Sequence, residues 1–178
     1  MGDPRKLRKR YAVPQQLWDS TRISEERGLV REYGLKNIKE TWIAKAMLRK
    51  LRTRYKNLLA LGETGESHKM DILKQAISAG YCKPTANVDD ILSLTTRDVL
   101  ERRLQTQVCR NGLAKTMKQA RQLITHGYIS IDGKKVRSPS YQVPVDLQAK
   151  IGYYRPIQIE VTEKAEIKSQ KPEPEKSE

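Results

Sequence analysis

The sequence is poor in aromatic residues and in cysteine, and it has no long apolar run. Among its 178 residues Phe is absent, aromatic residues make up 6%, and only 2 residues are Cys. So few rings weaken any mechanism that stacks successive bases of a single strand. Apolar runs are a few residues long, far below the roughly 18 that cross a bilayer, and none follows the basic amino terminus as a secretory signal requires. We expect neither a membrane protein nor a secreted one.

The two cysteines form no recognisable metal or disulfide motif. Cys82 and Cys109 are far apart and lie in no C-x-x-C pattern, and His68 and His126 do not complete a zinc-binding spacing. We expect both thiols to be reduced and mostly buried, which is typical of the cytoplasm. The spacing predicts no metal and no other cofactor.

Catalytic motifs are missing as well. The sequence has no G-x-S-x-G, Walker, G-x-G-x-x-G or H-E-x-x-H pattern. His126 and Asp132 are close in sequence, but no third residue completes an acid–base arrangement with them. We expect that this chain is not an enzyme.

Positive charge is abundant and unevenly placed. The formal net charge is +14, with sixteen Lys/Arg against six Asp/Glu in residues 1–56 and twelve against four in residues 97–155. Residues 57–96 between them are slightly acidic, with three against five. Two cationic blocks flanking a near-neutral connector indicate two contact surfaces on one large anion, and nucleic acid is the polyanion we expect.

The amino-terminal half is predicted to be helical. We expect a helix from Ser20 to about Tyr33 that ends at Gly34, and a longer helix that opens at Asn37 with Glu40 as a capping-box variant. Apolar residues recur at helical spacing along the longer helix: Ile43, Met47, Leu51, Tyr55 and Leu58. A row of cations recurs on roughly its opposite face: Lys45, Arg49, Arg52 and Lys56.

Other segments of this half are less regular. Residues 3–18 are expected to be extended, with Tyr11 and Trp18 as anchors. A third helix is predicted near residues 66–79, with Met70, Leu73, Ala76 and Ile77 facing inward and Gly80 as its stop.

The second half predicts two helices followed by a hairpin. Thr95 and Asp98 form a capping box, and the helix they open is expected to continue to Asn111. A further helix starts near Lys115 and ends at Gly127. Period-two alternation around Asp132-Gly133 then predicts a hairpin with a type I′ turn, which needs positive φ at both central residues. Further short strands are expected around apolar residues: Val143, Val145, Ile151, Ile157, Ile159 and Val161.

These elements predict an α+β fold. We expect a basic arm and helical domain over residues 1–96, and a small helix-helix-hairpin domain over residues 97–162. Residues 163–178 are polar and broken by proline, and we expect a disordered tail because they bury too little apolar surface.

Residues 100–139 resemble the RNA-binding module named after small-subunit ribosomal protein number four. The resemblance extends over about residues 1–155, because Gly2-Asp3-Pro4-Arg5 and residues 32–37 are similar to the archaeal and eukaryotic branch of that family. The chain lacks the long glycine-rich carboxyl extension of the eukaryotic cytosolic form and the cysteines with which the bacterial form often begins. The resemblance therefore favours the archaeal type.

The resemblance implies a structural protein of the small ribosomal subunit. Such a protein binds rRNA at a multi-helix junction in its 5′ part, acts early in assembly and influences decoding accuracy. Neighbouring small-subunit proteins are implied partners, mRNA is a possible one at the side where it enters, and neither a membrane nor a homo-oligomer is expected.

Candidate RNA contacts are cations placed where phosphates can reach them, because A-form RNA is bound through its backbone more than through base edges. In the module they are Arg102, Arg103, Lys115, Thr116, Lys118, Arg121, His126, Lys134, Lys135 and Arg137. The row on the long helix adds Lys45, Arg49, Arg52 and Lys56, and the amino-terminal arm adds Arg5, Lys6, Arg8, Lys9 and Arg10. Each has an ordinary alternative as a solvated charge, and Arg102 and Arg103 could instead pair with Asp98 and Glu101.

Two other functions stay open at this point. A ribosome-assembly factor could carry the same module, and so could an RNA-modifying enzyme such as a pseudouridine synthase. The enzyme would normally add a catalytic domain of well over 100 residues, and only the basic first 96 residues stand in its place.

Overall fold

The computed structural model describes residues 11–87 and 89–155, apart from the side chains of residues 63 and 64. Its helices are α1 (Ser20–Glu32), α2 (Ile38–Ala60), α3 (Glu66–Ser78), α4 (Asp90–Ser93), α5 (Thr96–Glu101), α6 (Leu104–Arg110), α7 (Met117–His126) and α8 (Val145–Gln148). A 3-10 turn (Gly62–Gly65) joins α2 to α3, and the strands are β1 (Ile129–Ile131), β2 (Lys134–Lys135) and β3 (Ile151–Tyr153). The α+β prediction is confirmed. The predicted tail, the strands around Ile157, Ile159 and Val161, and the first ten residues lie outside the described residues.

Helix α1 begins and ends where the sequence predicts. The Asp19 side chain accepts hydrogen bonds from the backbone N–H groups of Thr21 and Arg22, which satisfies two donors of the first turn. The helix ends at Tyr33, and Gly34 follows with φ of +56°, a left-handed conformation that suits glycine.

The predicted capping box of α2 is wrong, although Asn37 does precede the helix. The Asn37 side chain makes no capping hydrogen bond. The Glu40 carboxylate instead accepts hydrogen bonds from Arg103 and Arg121 in the second half of the chain. A tertiary ion pair with two guanidinium groups has displaced the local cap.

The buried face of α2 is also rotated from the predicted stripe. Its buried residues are Thr41, Ala44, Leu48 and Tyr55. Of the predicted stripe, Tyr55 is buried, Met47 is 41% exposed, and the other three residues, Ile43, Leu51 and Leu58, are half-buried. On α3, Leu73 and Ala76 are buried as predicted, whereas Met70 is exposed and Ile77 half-buried.

The single helix predicted after Thr95 is two helices. The Thr95–Asp98 capping box is present, but the chain leaves the helix at Arg102 and is extended at Arg103, with φ of −72° and ψ of 142°. There Arg103 forms an isolated antiparallel bridge with Gln142, and the Arg102 carbonyl accepts from the Val143 N–H. Pairing with the segment before α8 therefore interrupts the helical ladder.

The module's helix α7 and its hairpin match the prediction closely. Thr116 is the N-cap of α7, one residue later than the predicted start near Lys115, and Gly127 ends the helix with φ of +78°. Asp132 and Gly133 have φ of +52° and +74°, as a type I′ turn requires. The sheet order is β2-β1-β3, and both pairings are antiparallel. The strand expected around Ile151 is β3, whereas the strand expected around Val143 and Val145 is wrong, because Val145 begins α8.

Two main hydrophobic clusters organise these elements. One packs the end of α1 and α2 against α4 and α5: Tyr33, Leu35, Ala44, Leu48, Leu94, Val99 and Leu100. The other packs α6 and α7 against the sheet and includes Leu104, Val108, Ala120, Leu123, Ile124, Ile129, Ile131 and Val143. A smaller cluster of Tyr55, Leu73 and Ile91 lies between α2, α3 and α4.

Gln105 joins the two main clusters through backbone carbonyls. It is 1% exposed, and its Nε2 donates to the carbonyl oxygens of Tyr33, Gly34 and Met117 at 3.2, 3.1 and 2.9 Å. These carbonyls belong to the loop after α1 and to the start of α7. A buried amide that loses such partners is costly to leave unsatisfied, so Gln105 helps to set the orientation of α7.

Glu40 joins the same two halves through charge. Its Oε2 lies 2.6 Å from Nη2 of Arg103, and its Oε1 lies 3.0 Å from Nη2 of Arg121. The side chains of Arg103 and Glu40 are 6% and 17% exposed. Burial raises the pKa of the Glu40 carboxyl, but the hydrogen bonds and charges of Arg121 and Arg103 outweigh it, and the pKa lies below its ordinary value.

We predict that Gly34→Ala destabilises the protein more than Gly112→Ala does. Both glycines have left-handed φ, so both variants carry backbone strain of about 1–2 kcal/mol. A Cβ at Gly34 would also lie 2.8 Å from the Met117 Cβ, whereas a Cβ at Gly112 would meet nothing within 4 Å. We expect an additional loss of about 1–3 kcal/mol in the free energy of unfolding of the Gly34 variant, measured by denaturant titration. Equal losses would contradict the close packing of the loop on α7.

We predict that Glu40→Gln lowers the free energy of unfolding by about 3 kcal/mol or more, since it leaves the buried Arg103 guanidinium without its counter-charge. The control is Glu32→Gln, which breaks an exposed pair with Arg97 and should cost under about 1 kcal/mol. Because the pKa of Glu40 is lowered in the folded state, its contribution is complete above the unfolded value near 4.5 and is lost as the pH falls toward the folded pKa. The stability difference between wild type and Glu40→Gln should therefore shrink below that pH, and a constant difference would contradict the ion pair.

Candidate nucleic-acid interface

Helix α7 presents one apolar face and one cationic face. Ala120, Leu123 and Ile124 are buried in the second cluster. Lys118 is exposed on the other side, and Lys115 and Thr116 are exposed just before the helix begins. The Thr116 hydroxyl accepts from the Gln119 N–H, which fixes the first turn. The amino-terminal end of a helix dipole favours an anion, so the charge and free N–H groups at this end of α7 suit a phosphate.

The hairpin brings three more cations to the other end of α7. Lys134, Lys135 and Arg137 are exposed. The Lys135 side chain lies against Gly127, and the Arg137 Nε lies 3.4 Å from where a Gly127 Cβ would be, so a glycine at the end of α7 leaves room for both. His126 is exposed beside them.

The structure separates Arg102 and Arg103 from this surface and corrects the prediction that they reach it. They are 9% and 5% exposed. Arg102 donates to the Gln148 Oε1 and to the Val143 carbonyl, both at 2.9 Å, and Arg103 is held by Glu40. The alternative pairing with Asp98 and Glu101 is wrong too, because Glu101 pairs with Arg110 and Asp98 caps α5. Both arginines connect parts of the fold.

Arg121 is intermediate in exposure between the buried Arg102 and Arg103 and the exposed Lys118. It lies one turn after Lys118 on α7, but its guanidinium bonds the Glu40 carboxylate, and its side chain is 24% exposed. Helix α7 contains no carboxylate, and the partner is supplied by α2 instead. The structure therefore places Arg121 at the edge of the cationic surface, with its charge partly neutralised.

The cationic row of α2 forms a second surface. Arg49 and Lys56 are exposed, whereas Lys45 pairs with Glu26 at 2.8 Å and Arg52 donates to the Leu94 carbonyl. A groove of about 680 Å³ runs along this row to Thr95 and Thr96. A neighbouring groove of about 950 Å³ adds three cations that are not among the predicted contacts, Arg22, Lys50 and Arg54. The i, i+4 spacing of Lys50 and Arg54 could have identified those two.

Glu26 lines the groove of about 950 Å³ and is buried at its base. It is 1% exposed and accepts from Arg22, Lys45 and the Trp42 Nε1 at 2.8, 2.8 and 3.1 Å. Burial raises the pKa of its carboxyl, but the bonds from Lys45, Trp42 and Arg22 together lower it below the ordinary value. One buried carboxylate thus positions two cations at the rim and offers little charge to solvent.

The extended segment before α1 is only partly as predicted. Tyr11 packs against Trp42, with ring centroids 5.8 Å apart, and acts as the expected anchor. Trp18 is 91% exposed, so its predicted anchoring role is wrong. The arm cations Arg5, Lys6, Arg8, Lys9 and Arg10 lie outside the described residues.

The described residues add two findings of absence. No helix in residues 11–87 or 89–155 has the length and apolarity needed to span a membrane. The same residues hold no group of three or more His, Cys, Asp or Glu side chains that could ligate a metal ion. Cys82 and Cys109 are free and half-buried.

Comparison with known proteins finds matches to the module and to most of the chain. The family described as S4 domain matches residues 102–148. Proteins named small ribosomal subunit protein uS4 match most of the length. That of Ignicoccus hospitalis is 51% identical over 154 residues, which is 86% of this chain and 93% of the relative. That of Saccharolobus solfataricus is 48% identical over 156 residues (86% and 86%), and that of Methanothermobacter thermautotrophicus is 44% identical over 172 residues (93% and 100%).

These relatives are archaeal and are named for a ribosomal protein, not for an enzyme. The predicted family is therefore confirmed over far more than the RNA-binding module. The chain belongs to the uS4 family of small ribosomal subunit proteins.

Proposed function

We propose that this protein is a structural component of the small ribosomal subunit and binds small-subunit rRNA directly. The observation that carries the proposal is a cationic surface on α7 and the hairpin, on a chain whose relatives over most of its length are named as ribosomal proteins. Lys115, Lys118, Lys134, Lys135 and Arg137 are all exposed there. Phosphates of a folded RNA supply the opposite charges.

The finer proposal concerns the kind of RNA. The α7–hairpin surface and the grooves along α2 lie on the two halves that Glu40 and Gln105 hold together. Two rigidly connected cationic surfaces suit a multi-helix junction, because each can take the backbone of a different RNA helix. We place this junction in the 5′ part of the small-subunit rRNA.

A protein that fixes the relative orientation of RNA helices acts best when the RNA is still folding. We therefore propose an early role in subunit assembly and an influence on translational accuracy, in the cytoplasm, with neighbouring small-subunit proteins as partners and mRNA close by at the side where it enters. A ribosome-assembly factor carrying the same module is the alternative that the first experiment distinguishes.

We predict that the protein stays with mature small subunits, one copy for each, after a high-salt wash. Sedimentation followed by quantitative mass spectrometry measures this stoichiometry. Enrichment in precursor particles and absence from washed mature subunits would identify an assembly factor instead.

We predict that Lys118→Ala weakens binding to small-subunit rRNA and reduces the slope of log K against log salt by about 0.7–0.9, because one phosphate contact is lost. Lys74→Ala is the matched control, since it removes another exposed lysine, on α3 and outside the α7–hairpin surface, and should leave the slope unchanged. Arg121→Ala is a poorer test, because it also breaks the pair with Glu40. An unchanged slope in folded Lys118→Ala would remove this helix from the interface.

A further inference from the structure

Two exposed tyrosines lie among the hairpin cations, and the proposed phosphate contacts leave them without a role. Tyr128 begins the hairpin and is 37% exposed, and Tyr154 follows β3 and is 46% exposed. The Tyr154 N–H donates to the Tyr128 carbonyl at 2.7 Å. The Lys135 Nζ lies 5.7 Å from the centre of the Tyr154 ring. Aromatic and cationic side chains are thus held together at one corner of the sheet.

The strand register puts these side chains on the same face. Ile129 pairs with Tyr153 and Ser130 with Gly152 in one direction, and Ser130 pairs with Lys135 in the other. Directly opposed residues of an antiparallel sheet share a face, and neighbours along a strand alternate. Tyr128, Ser130, Lys135, Gly152 and Tyr154 therefore belong to one face. The other face carries Ile129 and Ile131 into the core.

The middle of the outer face carries two small residues, Ser130 and Gly152. Ser130 is 6% exposed, so the surrounding side chains cover most of it, and its hydroxyl donates to the Gly152 carbonyl at 3.3 Å. A Cβ built at Gly152 would meet nothing within 4 Å. We call this part of the outer face the shelf. Ser130 and Gly152 lie at its centre, Tyr128, Tyr154 and Lys135 surround them, and the parts open to solvent are the two rings, Lys135 and the space beside Gly152.

The charges around this shelf favour a nucleotide over a protein partner. Lys135 and Arg137 border it, and the carboxylate of Asp132 at its far end is already paired with Lys150 at 3.3 Å. Protein–protein interfaces are depleted in lysine at their centre. A planar base stacks on a tyrosine ring whatever its sequence, while its phosphates need nearby cations.

We propose that this shelf binds one unpaired nucleotide of the RNA, with its base stacked on Tyr154 and its flanking phosphates at Lys135 and Arg137. The proposal rests on the proposed RNA-binding function and adds to it a site for an unstacked base beside the proposed phosphate contacts of α7. It needs only one base, so it agrees with the small number of aromatic residues in the chain.

The test compares two probes that carry the same phosphates. The full chain is titrated with a short oligoadenylate and with an abasic ribose-phosphate oligomer of equal length, at several salt concentrations. We expect wild type to bind oligoadenylate about tenfold more tightly than the abasic oligomer, in line with the loss typical of removing one stacking ring. Tyr154→Ala should abolish this preference with no change in affinity for the abasic oligomer or in salt slope.

Two further variants keep the result interpretable. Tyr154→Phe retains the ring and should keep the preference. Tyr141→Ala removes a ring of similar exposure, 40%, from the segment before α8 and should leave the preference intact. Thermal unfolding of each variant verifies that the sheet still forms.

Several outcomes would overturn the proposal. Wild type that does not distinguish the two oligomers would do so, as would a folded Tyr154→Ala variant with the full preference. An equal loss on both probes would mean that the ring only positions Lys135. An unchanged preference together with weaker binding to other small-subunit proteins would mark a protein interface. Failure to bind small-subunit rRNA at all would instead refute the proposed function, which makes the two failures distinguishable.

Discussion

The carboxylate of Glu40 holds two guanidinium groups, and the arrangement of the two halves of the chain depends on it. Arg103 stands at the break between α5 and α6, and Arg121 stands in the middle of α7. With Gln105 bonded to the loop after α1 and to the start of α7, the two hydrophobic clusters are fixed against each other by directional bonds. Apolar contact alone would allow sliding, whereas a buried ion pair penalises any displacement that leaves one charge unpaired.

This use of carboxylates inside the fold determines what the surface offers. Glu26 and Glu40 are directed inward, and each forms ion pairs with two basic side chains. Asp98 forms the capping box of α5. The cations of the hairpin and of the start of α7 are left facing solvent. A strongly basic protein repels itself when compact, and the inward carboxylates offset that repulsion where the chain is packed. The remaining positive charge is concentrated where an RNA can neutralise it.

Much of this architecture could be read from local sequence, and the exceptions share a physical cause. The Thr95–Asp98 cap, the stop of α7 at Gly127 and the Asp132-Gly133 turn are decided by a few neighbouring residues. The burial and pairing of Glu40, Arg102 and Arg103 are not decided by neighbouring residues. Their partners lie about 40 to 80 residues away, so no local sequence pattern identifies them. Among the candidate contacts, Lys118, Lys134, Lys135 and Arg137 are exposed, as a phosphate contact requires, and their binding of RNA stays a prediction. The buried arginines could not be told from exposed ones by residue type.

The same distinction bears on how an RNA-binding surface should be inferred from sequence. A lysine is a strongly hydrated point charge that resists burial, whereas an arginine's planar fork suits buried multidentate pairs. In this chain the arginines at positions 102, 103 and 121 are drawn into the fold, and the lysines of the same module stay outside. Where a basic module must both hold its own helices together and bind RNA, its lysines are therefore the better guide to the RNA. Its arginines have to be checked against distant carboxylates before they are counted as contacts.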